Sequence, residues 1–290
     1  MKLVTFASAD GPAIGVLDGE EIVPLAADPA LPTDMVDFVA LGAEGLERAA
    51  AVLRSGGRIP LEGNRLLAPI RPRNNVMCVG KNYHEHAREF AGSGFDASAK
   101  QTVPDAPVIF TKALSAIVGP GDAVRVSDDT TRTSDYEGEL GVVLGPGGHR
   151  VSEADAAGHV YGYTIVNDVT IRDLQKRHVQ FFIGKSAATY CPIGPVLVTA
   201  DEIDDVGSLR VQTRINGDLR QDAPVKDLIF DIPALIGSIS AAVQLQAGDM
   251  IATGTPAGVG IGFDPPRFLS PGDVMEVTID GIGTLTNPCA

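Results

Sequence analysis

Asp135-Tyr136-Glu137-Gly138-Glu139-Leu140-Gly141-Val142-Val143-Leu144 decides how this chain is read. Its apolar, β-favouring half runs into Gly145-Pro146-Gly147-Gly148, a turn cluster, so the stretch predicts a strand. On a strand, residues two apart share a face. Glu137 and Glu139 then aim side by side, with only Gly138 between them. Two such carboxylates repel unless a cation or a shared proton relieves them. A third candidate, Asp168, closes another strand-like run, Val160-Tyr161-Gly162-Tyr163-Thr164-Ile165-Val166-Asn167. Three converging carboxylates with no Cys or His among them suit a hard divalent ion: Mg²⁺ or Mn²⁺, with Ca²⁺ as a further candidate.

The rest of the chain bounds that reading. Its 290 residues suffice for one large domain, or one large and one small, and a hydrophobic fraction of 44% supports a sizeable core. No uninterrupted apolar run is long enough to span a bilayer, and residues 1–10 lack a signal-peptide pattern, so a cytoplasmic protein is expected. Cys78, Cys191 and Cys289 are odd in number and far apart, form no CxxC pattern, and fit a reducing compartment. A net charge of −14 argues against nucleic acid, which needs clustered Lys and Arg, and the absence of Trp argues against base-stacking platforms. A small anionic substrate stays compatible, because an ion and a few local cations can dominate a pocket.

Residues 1–68 read as a small N-terminal α/β unit. Strand signals at Leu3-Val4-Thr5-Phe6, Ala13-Ile14-Gly15-Val16-Leu17 and Glu21-Ile22-Val23-Pro24-Leu25, with Asp18-Gly19 as a turn, precede a helical pattern over 34–53. A boundary is expected near Pro69-Ile70-Arg71-Pro72-Arg73-Asn74-Asn75, leaving 69–290 as the second domain. That part is strand-rich, and the whole predicts a mostly β, α+β fold. Asn216-Gly217 and Asp280-Gly281 are hairpin signals. Gly-Asp recurs before apolar runs at Gly121-Asp122, Gly248-Asp249 and Gly272-Asp273, as a repeated strand start at irregular spacing. Ser152 is a candidate cap for a short helix. Asp231-Ile232-Pro233 opens an apolar helix expected to reach about Leu245. Helical and strand periods are not regularly interleaved, which disfavours a Rossmann or TIM layout.

Four further segments carry chemistry-bearing residues. In Val76-Met77-Cys78-Val79-Gly80-Lys81-Asn82-Tyr83-His84-Glu85-His86-Ala87-Arg88-Glu89-Phe90, a strand and turn lead into a helix on which His86 and Glu89 share a face. A carboxylate beside an imidazole strengthens it as a base and fixes its orientation. The alternatives are an exposed helix and zinc ligation by His84 and His86, which share a face only on a strand. In Asn167-Asp168-Val169-Thr170-Ile171-Arg172-Asp173-Leu174-Gln175, helical spacing would bring Asp168, Arg172 and Gln175 to one side. Arg172 could then fork a substrate carboxylate and Gln175 bond an oxygen, unless Arg172 makes only a surface ion pair. Lys185, after Phe181-Phe182-Ile183-Gly184, is placed to stabilise an enolate if partly buried. Met250-Ile251-Ala252-Thr253-Gly254-Thr255-Pro256 runs from strand to loop. Its glycines fit no nucleotide motif, and its N–H groups with the Thr255 hydroxyl could hold a carboxylate.

In this order, these residues resemble the fumarylacetoacetate hydrolase family over about residues 70–290. Gly80-Lys81-Asn82-Tyr83 with His86 and Glu89 is similar to its lid segment. Asp135 to Leu140 and Asn167-Asp168 are similar to its metal-binding strands. Arg172, Gln175, Gly184-Lys185-Ser186 and Thr253-Gly254-Thr255-Pro256 follow as its substrate-side motifs. The resemblance implies a mixed β-sandwich roll with a small N-terminal domain, a homodimer, Mg²⁺ or Mn²⁺, and 2-oxo or 2,4-dioxo acid substrates. Its implied sites are Glu137, Glu139 and Asp168 for metal, His86, Glu89 and Lys185 for catalysis, and Tyr83, Arg172, Gln175, Gly254 and Thr255 for substrate. After Ser186 the family commonly has an aromatic residue and then Asp, where this chain has Ala187-Ala188; the missing carboxylate would leave Lys185 without a close anchor.

The expected activity is hydrolysis of a C–C bond in an acylpyruvate-like acid. His86 would activate water, and the ion with Lys185 would stabilise the departing enolate. The runners-up are decarboxylation or tautomerisation of an oxaloacetate-like acid, or isomerisation of a hydroxy-diene acid, on the same site. A metal-stabilised binding protein without turnover is the reading from another class. Residues 90–107, long and polar, are expected to form part of a lid.

Overall fold

The computed structural model describes residues 1–96 and 102–290. Among these, two large sheets make the architecture, beside a two-stranded pairing of Ser134–Asp135 with Thr170–Ile171. The larger has twelve strands, mostly antiparallel, with two parallel pairings: Met250–Ala252 beside Val76–Gly80, and Ile117–Val118 beside Cys191–Thr199. The smaller is a four-stranded antiparallel sheet ordered Asp218–Pro224, Arg210–Ile215, Val274–Ile279, Gly283–Pro288. This is the mixed, β-dominated α+β fold that the sequence predicts.

The strand Gly138–Leu144 lies at the middle of the large sheet, between Val160–Asn167 and Met250–Ala252. It alternates as strands must. Leu140, Val142 and Leu144 join the core cluster shared with Val211, Val277 and Leu285 of the small sheet. Val143 faces the opposite cluster. The two sheets approach closely at Gly138, where a Cβ would lie 2.3 Å from Thr213 Oγ1 and 2.9 Å from Val277 Cγ1. A glycine between the two glutamates is therefore a packing requirement.

The first 68 residues hydrogen-bond into the same sheet. The strand Lys2–Ser8 pairs antiparallel with Gly11–Asp18 and, at Lys2 and Leu3, with Val198 and Leu197. The turn at Asp18-Gly19 and the hairpins at Asn216-Gly217 and Asp280-Gly281 form as their sequences predict.

Several local expectations change. The helical pattern over 34–53 forms two helices, Met35–Ala40 and Ala43–Ser55, because Gly42 takes φ +56 between them. The helix capped by Asp231 stops at Ser240, short of Leu245. Ser152 precedes only a single 3₁₀ turn, Ala156–His159. Of the three Gly-Asp starts, that at Gly121 leads to an isolated bridge at Val124 and not to a strand. In the segment expected to act as a lid, the helix His84–Gly92 ends at Gly92, and residues 97–101 lie outside the described residues.

Candidate active site

Glu137 sits one residue before its strand begins. Its N–H donates to Asn167 Oδ1 at 3.0 Å, and its carbonyl accepts the Asp168 N–H at 2.8 Å. Neighbouring strands thus bring Glu137, Glu139 and Asp168 together through backbone bonds. Their carboxylate oxygens lie within 4.8 Å of one another, and all three residues are buried. Among the described residues this is the one cluster of three His, Cys, Asp or Glu side chains placed to hold a metal ion. The all-oxygen donor set fits a hard divalent cation. His84 and His86 stand on a helix, with His84 exposed and His86 buried, so they do not converge as zinc ligands would.

The charges around the triad are uneven. Arg172 Nη1 lies 2.6 Å from Glu137 Oε1, and Lys185 Nζ lies 2.6 Å from Glu137 Oε2 and 2.7 Å from Asp168 Oδ2. Burial pushes the Glu137 carboxyl up, but Lys185 and Arg172 outweigh it and hold the group at about 2. Glu139 has no such partner: its Oε2 accepts the Gly254 N–H at 2.9 Å. Burial, with Asp168 and Glu137 beside it, pushes its carboxyl well above the usual range. For Lys185, burial works against the charge, but Asp168 and Glu137 prevail and raise it.

Lys112, which the sequence did not single out, is fully buried behind Asp168. Its Nζ pairs with Asp168 Oδ1 at 2.7 Å and donates to the carbonyls of Val169 and Lys185. The available signal was its position, a lysine closing the β-favouring run Val108-Ile109-Phe110-Thr111. Asp135 was also missed as a working residue. It accepts Arg172 Nε at 2.9 Å and the Gly260 and Ile261 N–H groups. Burial raises its carboxyl against the pull of Arg172. With these N–H donors around it, the ionised form is the one the site accommodates.

His86 and Glu89 meet as the helical spacing predicts: Nδ1 is 3.2 Å from Glu89 Oε2. Glu89 Oε1 accepts the Gly258 N–H at 2.9 Å, and because Glu89 takes up Nδ1, the imidazole keeps Nε2 for other partners. Gly262 makes room for this carboxylate, since a Cβ there would lie 1.7 Å from Glu89 Oε1. His86, Arg172, Gln175, Lys185 and Thr255 line one cavity with Glu137 and Glu139. Val79, Phe90, Phe110 and Phe181 supply its apolar walls.

Other expected roles shift with the geometry. Arg172 does not face Asp168 across a helical turn, because the helix starts at Arg172 itself. Both prongs of its guanidinium are engaged, by Asp135 and Glu137, and it also donates to Gln175 Oε1 at 3.1 Å. Gly254 gives its N–H to Glu139, and Thr255 gives its hydroxyl proton to the Gly138 carbonyl. These two therefore support the triad. Tyr83 lines a neighbouring cleft with His84, Arg210 and Asp222, outside the cavity that holds Lys185. Lys185 is not left unanchored by Ala187-Ala188; Glu137 and Asp168 anchor it directly.

The chain belongs to the fumarylacetoacetate hydrolase family: the model of its C-terminal domain matches residues 75–290, and a second model, Rv2993c-like, N-terminal, matches 1–69. This is an enzyme superfamily with hydrolase, isomerase and tautomerase members. The chain is 54% identical over 224 residues to oxaloacetate tautomerase YisK of Bacillus subtilis, covering 77% of this chain and 72% of that protein. It is 40% identical to the mitochondrial oxaloacetate tautomerase fahd2 of Xenopus laevis, covering 99% and 90%. Among solved structures, a fumarylacetoacetate hydrolase from Exiguobacterium antarcticum superposes with a TM-score of 0.86 at 41% identity, covering 100% of this chain and 99% of that one. A maleylpyruvate hydrolase from Sphingobium sp. SYK-6, solved with manganese(II) and pyruvate, gives 0.81 at 32% identity, with the same coverage. No helix among the described residues is long and apolar enough to cross a membrane.

Proposed function

We propose that this protein is a divalent-metal-dependent tautomerase that interconverts the enol and keto forms of an oxaloacetate-like 2-oxo acid. The observation that carries this reading is the cavity itself: Glu137 and Glu139 of the buried acidic triad share it with the oriented His86 imidazole and with the Lys185 ammonium, which is bonded to the third member, Asp168. The likeness to two oxaloacetate tautomerases supports the substrate class.

Glu137, Glu139 and Asp168 would hold the ion, with Mg²⁺ or Mn²⁺ favoured by the oxygen ligands and by the manganese(II) in the maleylpyruvate hydrolase. When bound, such an ion polarises the keto oxygen and neutralises the acid beside it. His86, held through Nδ1 by Glu89, would take the proton from carbon 3 of the keto form through Nε2 and pass it to the enolate oxygen, and in the reverse direction would carry the enol O–H proton back to carbon 3. Lys185 faces the negative charge that develops on oxygen while carbon 3 is deprotonated. Gln175, with its oxygen turned to Arg172, keeps its amide N–H groups for the acid. Arg172 is a positioning residue, since it fixes Glu137 and Gln175. The phenylalanines limit water around these groups.

A second reading uses the same residues for hydrolysis. His86 would take a proton from water as the water attacks the distal carbonyl of an acylpyruvate, and the C–C bond would break with the pyruvate enolate leaving. The likeness to the maleylpyruvate hydrolase favours it. The test is to follow enol-oxaloacetate decay by ultraviolet absorbance, with Mg²⁺ or Mn²⁺ and with EDTA, and to identify products by NMR. Accelerated ketonisation without fragments or CO₂, lost with EDTA and in His86→Gln, is expected. Cleavage of acylpyruvates into two fragments with no effect on enol-oxaloacetate would overturn the tautomerase reading.

A further inference from the structure

The cavity has a cation that the chemistry above does not use. Lys81 lines it beside His86, Glu137 and Arg172, yet its ammonium makes no pair with the triad. It lies 2.5 Å from Asp96 Oδ2 and 5.4 Å from the Phe90 ring centre, and it is almost fully buried. Its backbone is at φ +56, a conformation that residues with a side chain adopt only where the surroundings impose it, often at functional sites. The neighbouring Asn82 imposes it. Its side chain donates to the Phe230 and Thr253 carbonyls and accepts the Phe230 N–H, which clamps the turn onto the loop that carries Gly254 and Thr255. Lys81 is thus presented by a rigid turn at the wall of the cavity.

The charge balance indicates what it is presented to. The cations at the triad are all committed: Lys112, Arg172 and Lys185 pair with Asp135, Glu137 and Asp168. A second substrate carboxylate would need one more cation, and a buried charge without a partner is strongly disfavoured. Lys81 already holds a carboxylate, that of Asp96.

We propose that Lys81 binds the second, distal carboxylate of the substrate, with Asp96 holding that position until the ligand replaces it, so that the site selects dicarboxylic 2-oxo acids over monocarboxylic ones. This rests on the 2-oxo acid reading above. It predicts a selectivity that the triad and the His86–Glu89 pair do not supply, because the triad addresses the 2-oxo acid end and His86 only moves a proton.

The experiment uses the Mn²⁺-loaded protein and two unreactive probes, malate and lactate, which share a 2-hydroxy acid end and differ in the distal carboxylate. Calorimetry should show Lys81→Met weakening malate at least tenfold while lactate changes less than twofold. Lys81→Arg should keep most of the preference, and Asp96→Asn should tighten malate severalfold without affecting lactate. Equal losses for both probes in Lys81→Met, or weaker malate binding in Asp96→Asn, would overturn the proposal. Turnover separates it from the reading beneath it. Lys81→Met should lower kcat/KM for enol-oxaloacetate far more than for its 4-methyl ester. Equal losses on the two would refute the role of Lys81 while leaving the tautomerase intact. A parent protein that turns over neither, yet prefers malate in a Lys81-dependent way, would refute the tautomerase alone.

Discussion

Glu139 is the carboxylate that the fold leaves uncompensated, and replacing it should stabilise the metal-free protein. At the 4.8 Å limit of the triad and an effective dielectric of about 20, two like charges repel by roughly 3.5 kcal/mol. Glu139 faces two such neighbours, and Lys185, bonded to both of them, offsets part of the repulsion. With the one cation offsetting about one of the two neighbours, a net penalty of roughly 3.5 kcal/mol remains at neutral pH. Glu139→Gln removes the charge, and its amide oxygen can still accept the Gly254 N–H. At about 2 °C per kcal/mol for a chain of this size, the unfolding midpoint in EDTA should rise about 7 °C at pH 7.5. The sign with pH follows from the raised carboxyl. Its folded value lies above the unfolded one, so the parent is unpenalised below about pH 4.3 and loses stability as pH rises through the folded value. The gain of the variant should therefore vanish in acid. Adding Mn²⁺ should raise the midpoint of the parent and leave that of the variant nearly unchanged. A variant less stable than the parent at every pH, or one that keeps the full Mn²⁺ response, would refute the assignment of Glu139 as the unpaired ligand.

Gly262→Ala should push the Glu89 carboxylate off His86, because the added Cβ would meet Oε1 at 1.7 Å and Cδ at 2.3 Å. Turnover should fall about 10²-fold while the unfolding midpoint hardly moves, because the three atoms nearest the added Cβ all belong to the Glu89 side chain and none to backbone; unchanged kcat would count against the His86–Glu89 pair. Gly138→Ala should do the reverse and destabilise the fold by about 1–3 kcal/mol or more in urea unfolding, since Thr213 and Val277 of the small sheet must yield. Lys112→Met should cost roughly 3–5 kcal/mol by the same measurement, because Asp168 loses a fully buried cation; a loss under 1 kcal/mol would show that Lys185 alone suffices.

The Glu137–Glu139 pair was legible because its cause is local, while Asp168 joins it across a pairing of neighbouring strands. Strand alternation puts residues two apart on one face, and a glycine between two glutamates leaves few other readings. The His86–Glu89 pair was legible for the same reason, through helical spacing. What stayed hidden depends on partners far along the chain. The need for glycine at 138 comes from Thr213 and Val277 of another sheet, and the task of Asp135 from the Gly260 and Ile261 N–H groups. Arg172 shows the limit most clearly. Its spacing to Gln175 was readable, but its commitment to Asp135 and Glu137 was not, because it follows from a strand pairing, Thr170 with Asp135, that no local pattern announces.

The alanines at 187 and 188 bear on how such a site tolerates change. A lysine that relied on one nearby carboxylate in its own loop would lose its position with that residue. Lys185 instead rests on Glu137 and Asp168, two members of the triad proposed to hold the ion. The loop after Ser186 is then released from an electrostatic task and answers only to packing, where Ala187 sits against the cluster of Tyr136, Tyr190 and Met275. Because the anchors of the ammonium are also the candidate ligands of the ion, Lys185 cannot be displaced without disturbing the metal, nor the triad altered without freeing Lys185. The coupling gives a signature in binding alone: Glu137→Gln and Asp168→Asn should each weaken Mn²⁺, whereas substitutions at Ala187 or Ala188 that keep the volume small should leave Mn²⁺ affinity unchanged.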